Sequence, residues 1–281
     1  ICSDKTGTLT QNKMTVVDSF GSDDLAISKG MALCSDAEID RDGVVTGEPT
    51  EAALVYWAYK CGLSKLDLKE EYPRINEVPF DSKRKMMSTL HKIDNGFIQY
   101  TKGAPDIVID RCTTYLKDGK IYPLDETYRK EIKTKNKEMA DKALRVLALG
   151  QKQYSEAPID YTSETAENDL CFVGLGGMID PIRPEVKDAI LKCKEAGITP
   201  IMITGDHIDT AVAIAKELTI LDDHAKAITG MQLNRMSDEE FEQCFKDIHV
   251  YARVQPEHKT RIVNAWKKAG YVTAMTGDGV N

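Results

Sequence analysis

The sequence predicts an α/β fold: a mostly parallel sheet with helices on both faces, interrupted by an inserted α+β unit with an antiparallel sheet. Three observations predict it. Short apolar runs alternate with amphipathic stretches through residues 170–275, the pattern of successive βα units. The middle of the chain groups its strand-like stretches together and spaces its helices less regularly. The first ten residues form a strand-to-turn segment that belongs with the C-terminal half, so the middle reads as an insertion. The expected boundaries are 1–20 and 169–281 for the split domain, its second segment truncated at the C-terminus, and 21–168 for the inserted one.

Within the insertion, helices are expected near 25–33 and 49–59, and β-like stretches at 85–93 and 96–101. A hairpin over 114–124 turns at Asp118-Gly119, a dipeptide suited to left-handed backbone. The charged stretch 125–143 reads as a helix, 144–154 as a strand, and 155–169 as a polar, acidic linker. The apolar run 170–178 opens the βα region as a buried strand. A helix around 184–196 ends at Gly197, and 198–203 is the next strand. Helix 207–218 places Ala211, Ile214 and Ala215 on one face. A short strand at 227–229, a polar helix at 237–247, strand 249–254, helix 257–269 and strand 271–275 complete the run.

Bulk properties exclude several classes. With 281 residues, 29% charged and 42% hydrophobic, the chain is long enough to bury a sizeable core. A net charge of −8 argues against a nucleic-acid surface. The seven cysteines are scattered singly without CxxC pairs, which suits a reducing compartment better than a disulfide framework or zinc site. No segment approaches the roughly 18 consecutive apolar residues of a membrane helix.

Chemistry concentrates in Asp4-Lys5-Thr6-Gly7-Thr8-Leu9-Thr10. A carboxylate here can attack a phosphoryl group while a turn rich in N–H and hydroxyl donors holds the equatorial oxygens. Ile203-Thr204-Gly205-Asp206 sits where a strand runs into a helix, the place where ligands gather in a parallel sheet, and Thr204 can donate to a phosphate oxygen. Asp278 lies in a glycine-flanked loop after an apolar strand; with Asp4 and the Thr6 carbonyl it makes an oxygen site suited to Mg²⁺.

The seven residues from Asp4 to Thr10 resemble, at every position, the DKTGTLT phosphorylation signature of P-type cation-transporting ATPases. That resemblance implies a haloacid-dehalogenase-like Rossmannoid domain in which Asp4 becomes an aspartyl-phosphate, assisted by Lys5, Thr204, Gly205 and Asp206. It assigns Lys259, in Pro256-Glu257-His258-Lys259-Thr260, to neutralising the transferring group. Thr6 stands where phosphatases of the superfamily carry an acid/base Asp, so the phosphoenzyme is expected to persist. Thr46-Gly47-Glu48 looks like the actuator loop of these pumps but continues as Pro49-Thr50-Glu51-Ala52-Ala53-Leu54, which resembles a nucleotide-domain segment.

Further matches imply a nucleotide site in the insertion. Pro79-Phe80-Asp81-Ser82-Lys83-Arg84-Lys85 resembles PFDSxRK of type 2 pumps, with Phe80 stacking on adenine and Lys85 meeting the polar side. Lys102-Gly103-Ala104-Pro105-Asp106 resembles the KGAP motif: Lys102 closes the pocket floor and Gly103 admits the base. Arg145 aligns with an arginine on the phosphates, and Glu51 accepts from the adenine amino group. Some calcium pumps carry an arginine at Ser82, a contact that is lost here or taken over by Lys83 or Arg84. Asp180-Pro181-Ile182-Arg183 resembles the DPxR hinge, in which Asp180 and Arg183 pair or touch ribose and phosphates. Asn281 ends the Thr276–Asn281 motif and is grouped with these contacts.

The resemblance implies the cytosolic part of an ATP-driven, calcium-pump-like cation ATPase, with ATP and Mg²⁺ as ligands. The actuator and transmembrane domains, including the helices that bind the transported cation, lie outside this sequence. Two alternatives stand beside it: a soluble Mg²⁺-dependent phosphatase of the same superfamily, and a nucleotide-binding module inactive because of truncation.

Overall fold

In the computed structural model, which describes residues 1–40 and 42–277, the chain forms two compact units. One comprises Ile1–Lys13 and the chain from Asp180 onward; the other is Met14–Ile179.

The first unit is built on five short parallel strands in the order Lys226–Thr229, Ile248–Ala252, Ile201–Ile203, Cys2–Asp4, Met275–Thr276. Their side chains alternate between two apolar clusters, as a period of two requires. Ile201 and Ile203 join Cys2 and Tyr251 on one face, closed by Trp266 of helix Pro256–Lys268 and Phe241 of helix Asp238–Cys244. Met202 and Val250 point the other way, against helices Val186–Glu195 and Ile208–Glu217. The expected strand at 271–275 contracts to Met275–Thr276. Helix 256–268 ends through Gly270 at φ 86°, and Tyr271 folds back onto Trp266 with ring centroids 5.0 Å apart, so 271–274 serve as a connection.

The second unit is dominated by one sheet in the order Arg74–Asp81, Met86–Ile93, Gly96–Gly103, Arg145–Tyr154, Leu170–Ile179, Cys112–Lys117, Lys120–Pro123; Thr15–Gly21 also pairs with Leu170–Ile179. Its pairings are antiparallel except for Leu170–Ile179 with Cys112–Lys117, so the sheet is mixed rather than purely antiparallel. Helices Asp24–Leu33 and Pro49–Lys60 contribute Ile27, Met31 and Leu54 to one apolar cluster, and helix Glu126–Asp141 contributes Ile132 and Met139 to another.

Leu170–Ile179 was expected to open the parallel sheet, but it runs antiparallel to both Arg145–Tyr154 and Thr15–Gly21. A run buried on both faces does not say which sheet buries it. The units accordingly part at 13/14 and 179/180 rather than at 20/21 and 168/169. The pairing also requires glycine: at Gly21, φ +127°, a Cβ would lie 2.6 Å from the Gly174 Cα. Among the described residues, no helix is long and apolar enough to cross a membrane.

The sheet buries His91 with both ring nitrogens engaged: Nδ1 is 2.9 Å from the Tyr72 carbonyl and Nε2 is 2.8 Å from Thr89 Oγ1. The neutral ring meets both, donating from Nδ1 and accepting at Nε2. Burial holds its pKa down, at about 4. The unfolded chain takes up the proton near the ordinary value of 6.5. Between pH 6.5 and 4 the unfolded state therefore binds more protons, and stability falls as pH falls, by about 3 kcal/mol across the window. Urea midpoints at pH 7, 5.5 and 4 are expected to drop more steeply for the native chain than for His91→Gln.

Candidate functional site

Asp4 ends strand Cys2–Asp4, which lies between Ile201–Ile203 and Met275–Thr276, at the carboxyl edge of the parallel sheet, and is buried. Its Oδ1 accepts the Lys5 backbone N–H at 2.9 Å, and its Oδ2 lies 2.8 Å from Lys259 Nζ. The chain then doubles back: Gly7 takes φ 75°, and the Lys5 carbonyl accepts the Thr10 N–H at 3.0 Å, which places Thr6 inside the turn. The adjacent strand Ile201–Ile203 delivers Thr204 and Asp206 to the same edge. Thr204 is buried, its hydroxyl accepting the Asp206 N–H at 3.1 Å, and Asp206 Oδ2 pairs with Lys5 Nζ at 2.6 Å. A Cβ on Gly205 would meet nothing within 4 Å, so open space adjoins this turn. The strand on the other side, Met275–Thr276, is followed by Gly277, where a Cβ would be 3.9 Å from that of Asp4. Asp278 and Asn281 lie outside the described residues.

Sequence reasoning thus collected Asp4, Lys5, Thr204, Asp206 and Lys259 from three distant segments, and the fold brings them together. Lys259 gets there because Pro256 starts its helix and Lys259 falls in the first turn, facing the strand end. A buried carboxylate oxygen next to a peptide turn is hard-oxygen chemistry that suits Mg²⁺, which takes one or two carboxylates together with phosphate oxygens.

Asp180 and Arg183 brace the Asp4 turn instead of meeting each other. Asp180 accepts from Thr10 Oγ1 at 2.5 Å and the Lys13 N–H at 3.1 Å, with Lys5 Nζ 3.8 Å away. Arg183 donates to the carbonyls of Gly7 at 2.9 Å and Thr10 at 3.1 Å. Of the two expected arrangements, a mutual pair or contact with ribose and phosphates, the first is not the one formed: each side chain is engaged by the turn.

In the second unit, Glu51, Phe80, Lys85, Lys102, Gly103 and Arg145 all line one cavity of about 650 Å³. The lysine of the floor is buried and fully engaged: Lys102 Nζ meets Glu51 Oε1 at 2.5 Å, Ser35 Oγ at 2.9 Å and the Cys34 carbonyl. The other oxygen of Glu51 accepts the N–H groups of Asp36 at 2.7 Å and Ala37 at 3.1 Å. Phe80 is 63% exposed, a large apolar ring left free at the cavity wall. Lys85 follows a turn in which Asp81 Oδ1 accepts two N–H groups, which hold the Asp81 carboxyl below its usual range, and Lys85 itself takes φ 56°.

Gly103 lines the cavity and is also required by its neighbours in the sheet: a Cβ would lie 2.5 Å from the Lys85 carbonyl oxygen. Arg84 is not free to replace an arginine at Ser82, because it pairs with buried Glu167 and donates to the Pro79 carbonyl at 2.6 Å. Sequence reasoning also missed Asp36 and Thr50. Thr50 accepts from Arg145 at 2.7 Å and could have been found, since it lies beside Glu51 in the quoted segment. Asp36 acts through its backbone, which no residue-type pattern reports.

A family model described as P-type ATPase, cytoplasmic domain N, matches residues 25–185. The chain is 45% identical to Calcium-transporting ATPase 1 of Lactococcus lactis, 47% to Calcium-transporting ATPase 1 of Bacillus cereus and 41% to Calcium-transporting ATPase of Bacillus subtilis. Each match takes in 100% of this chain and 33%, 33% and 35% of the relative, so the chain spans about a third of their length.

Proposed function

Because this chain belongs to the P-type ATPase family, we propose that it is the phosphorylation and nucleotide-binding part of an ATP-driven cation pump, working at the cytoplasmic face of a membrane. The relatives' names point to calcium as the cation. The first unit is read as a haloacid-dehalogenase-like domain and the second as the nucleotide domain inserted into it. Actuator and membrane-spanning domains of the same full-length protein supply dephosphorylation and the ion path.

The observation that carries this reading is the environment of Asp4: a buried carboxylate at a strand end, with Lys259 Nζ 2.8 Å from one oxygen. Asp4 attacks the γ-phosphorus of ATP in line; the new bond joins its carboxylate oxygen to phosphorus, the bond to the β,γ-bridging oxygen breaks, and ADP leaves with that electron pair. Lys259 and Thr204 offset the negative charge spread over the equatorial oxygens. Lys5, held by Asp206, fixes the turn that presents Asp4 and Thr6. Mg²⁺, held by Asp4, the Thr6 carbonyl and Asp278, would supply charge neutralisation on the phosphates. Thr6 has no group to activate water, so the acyl phosphate persists until another domain acts.

ATP occupies the cavity of the second unit. Phe80 stacks on the adenine, Glu51 accepts from its amino group, Lys85 meets the polar side, Lys102 closes the floor, Gly103 admits the base, and Arg145 meets the phosphates. Asp180 and Arg183 belong to the turn they brace.

The test is acid-quenched labelling with γ-labelled ATP and Mg²⁺. An acid-stable, hydroxylamine-sensitive label is expected on the native chain and none on Asp4→Asn. ATP binding without label on either chain would reduce the proposal to a nucleotide-binding module. Label surviving in Asp4→Asn would place the acceptor elsewhere.

A further inference from the structure

Residues 33–37 separate two cavities. On one side is the 650 Å³ cavity described above, into which Asp36 and Ala37 face. On the other is a cavity of about 380 Å³, lined by Ser35, Asp36, Lys65, Arg74 and His91 among others. The wall between them is the segment that leaves helix Asp24–Leu33, where carbonyls at and beyond the helix end have no partner within the helix.

Cations supply those partners from both sides. From the rear cavity, Lys65 Nζ donates to the carbonyls of Ser35 at 2.7 Å and of Ala37. Arg74 donates to Ser35 O at 2.8 Å and Leu33 O at 3.0 Å, and its other nitrogen holds Asp36 Oδ1 at 2.7 Å. From the front, Lys102 takes the Cys34 carbonyl. Lys65 is buried at a cost: burial holds its ammonium pKa down to about 8, well below the ordinary 10.5.

The Ser35–Asp36 peptide links the two sides. Its carbonyl accepts Lys65 and Arg74 at the rear, and its N–H donates to Glu51 Oε2 at 2.7 Å in front. Two cations on a carbonyl polarise the whole amide, which makes its N–H a stronger donor and fixes the peptide plane. Glu51 Oε1 in turn holds Lys102 at 2.5 Å.

We propose that Lys65, backed by Arg74, is a positioning residue for the nucleotide cavity, acting through the Ser35–Asp36 peptide on the Glu51–Lys102 pair. Lys65 touches no ligand; it sets the carboxylate that the ligand meets. The proposal rests on the reading of the front cavity as the ATP site.

Isothermal titration of the full chain with ATP tests it, with urea melts confirming that each variant is folded under the binding conditions. Lys65→Met is expected to weaken ATP binding about tenfold, the loss typical of a supporting hydrogen bond to a charged site. Lys69→Met, which lines the same rear cavity but pairs with exposed Glu38, is expected to bind as the native chain does. The decisive step is the Glu51→Gln background, where adding Lys65→Met should change affinity by less than about twofold, because the carboxylate through which it acts is gone. A folded Lys65→Met with native affinity would overturn the proposal, as would a tenfold loss that persists in Glu51→Gln. If Lys65→Met does not fold, Arg74→Gln takes its place in the same cycle. A native chain that binds no ATP would remove the cavity reading itself, and the proposal with it, an outcome distinct from a native chain that binds while Lys65→Met binds equally.

Discussion

Replacing Lys259 with methionine is expected to slow phosphorylation of Asp4 by about 10²–10³-fold, the loss seen when a preorganised donor to a developing charge is removed. The side chain keeps an unbranched apolar stem, one atom shorter, so the first turn of helix Pro256–Lys268 still packs, and what disappears is the ammonium 2.8 Å from Asp4 Oδ2. Quenched-flow measurement of acid-stable label at saturating ATP gives the rate. Titration of ATP in parallel is expected to show unchanged affinity, since every residue lining the cavity belongs to the other unit. Label forming at the native rate in Lys259→Met would remove this residue from the transfer step and leave only Thr204 and bound metal to balance the charge.

Lys102→Met is expected to have the largest effect in the second unit, and on two measurements at once. Removing the ammonium leaves the Glu51 carboxylate without its cation while two backbone N–H groups still hold it in place. Breaking a buried pair from one side costs about 3 kcal/mol, which a lower urea midpoint would report. ATP affinity should fall by more than about tenfold, because the lone carboxylate now faces the anionic ligand and the floor loses the ammonium that meets the Cys34 carbonyl and Ser35 Oγ. The double variant Lys102→Met with Glu51→Gln removes the stranded charge. It should regain most of the stability and little of the affinity. A double variant as unstable as the single one would show that the lysine matters through its carbonyl contact and not through the pair.

How far the sequence carried depended on what each feature left in it. Asp4 and Thr204 were legible as residue types where strands run into turns, and Lys259 through its match to the family's motif; the structure puts Asp4 and Thr204 at strand ends and Lys259 in the first turn of a helix. The cavity residues Glu51, Phe80, Lys85, Lys102 and Arg145 were legible as motifs, and the fold gathers them around one space. Strand Arg74–Asp81 was missed for a physical reason: it is an edge strand exposed at nearly every position, so its sequence shows no alternation. Leu170–Ile179 reads as a strand from its apolar run, but a run buried on both faces carries no mark of its partners, and it pairs with Arg145–Tyr154 and Thr15–Gly21. The wall at 33–37 left no trace at all. Its contribution comes from peptide groups, and every sequence has those.

The ends of the second unit have a consequence for how such a chain can be taken apart. Thr15 and Ile179 are partners across one ladder, while in the first unit the Lys13 N–H already reaches Asp180 Oδ1 at 3.1 Å. The insertion is therefore a parenthesis: it opens and closes at nearly the same point. Cut out, residues 14–179 would keep their two ends zipped side by side. The sequence left behind would have its two cut ends already tied by a side-chain hydrogen bond, an arrangement under which domains move between hosts with little damage.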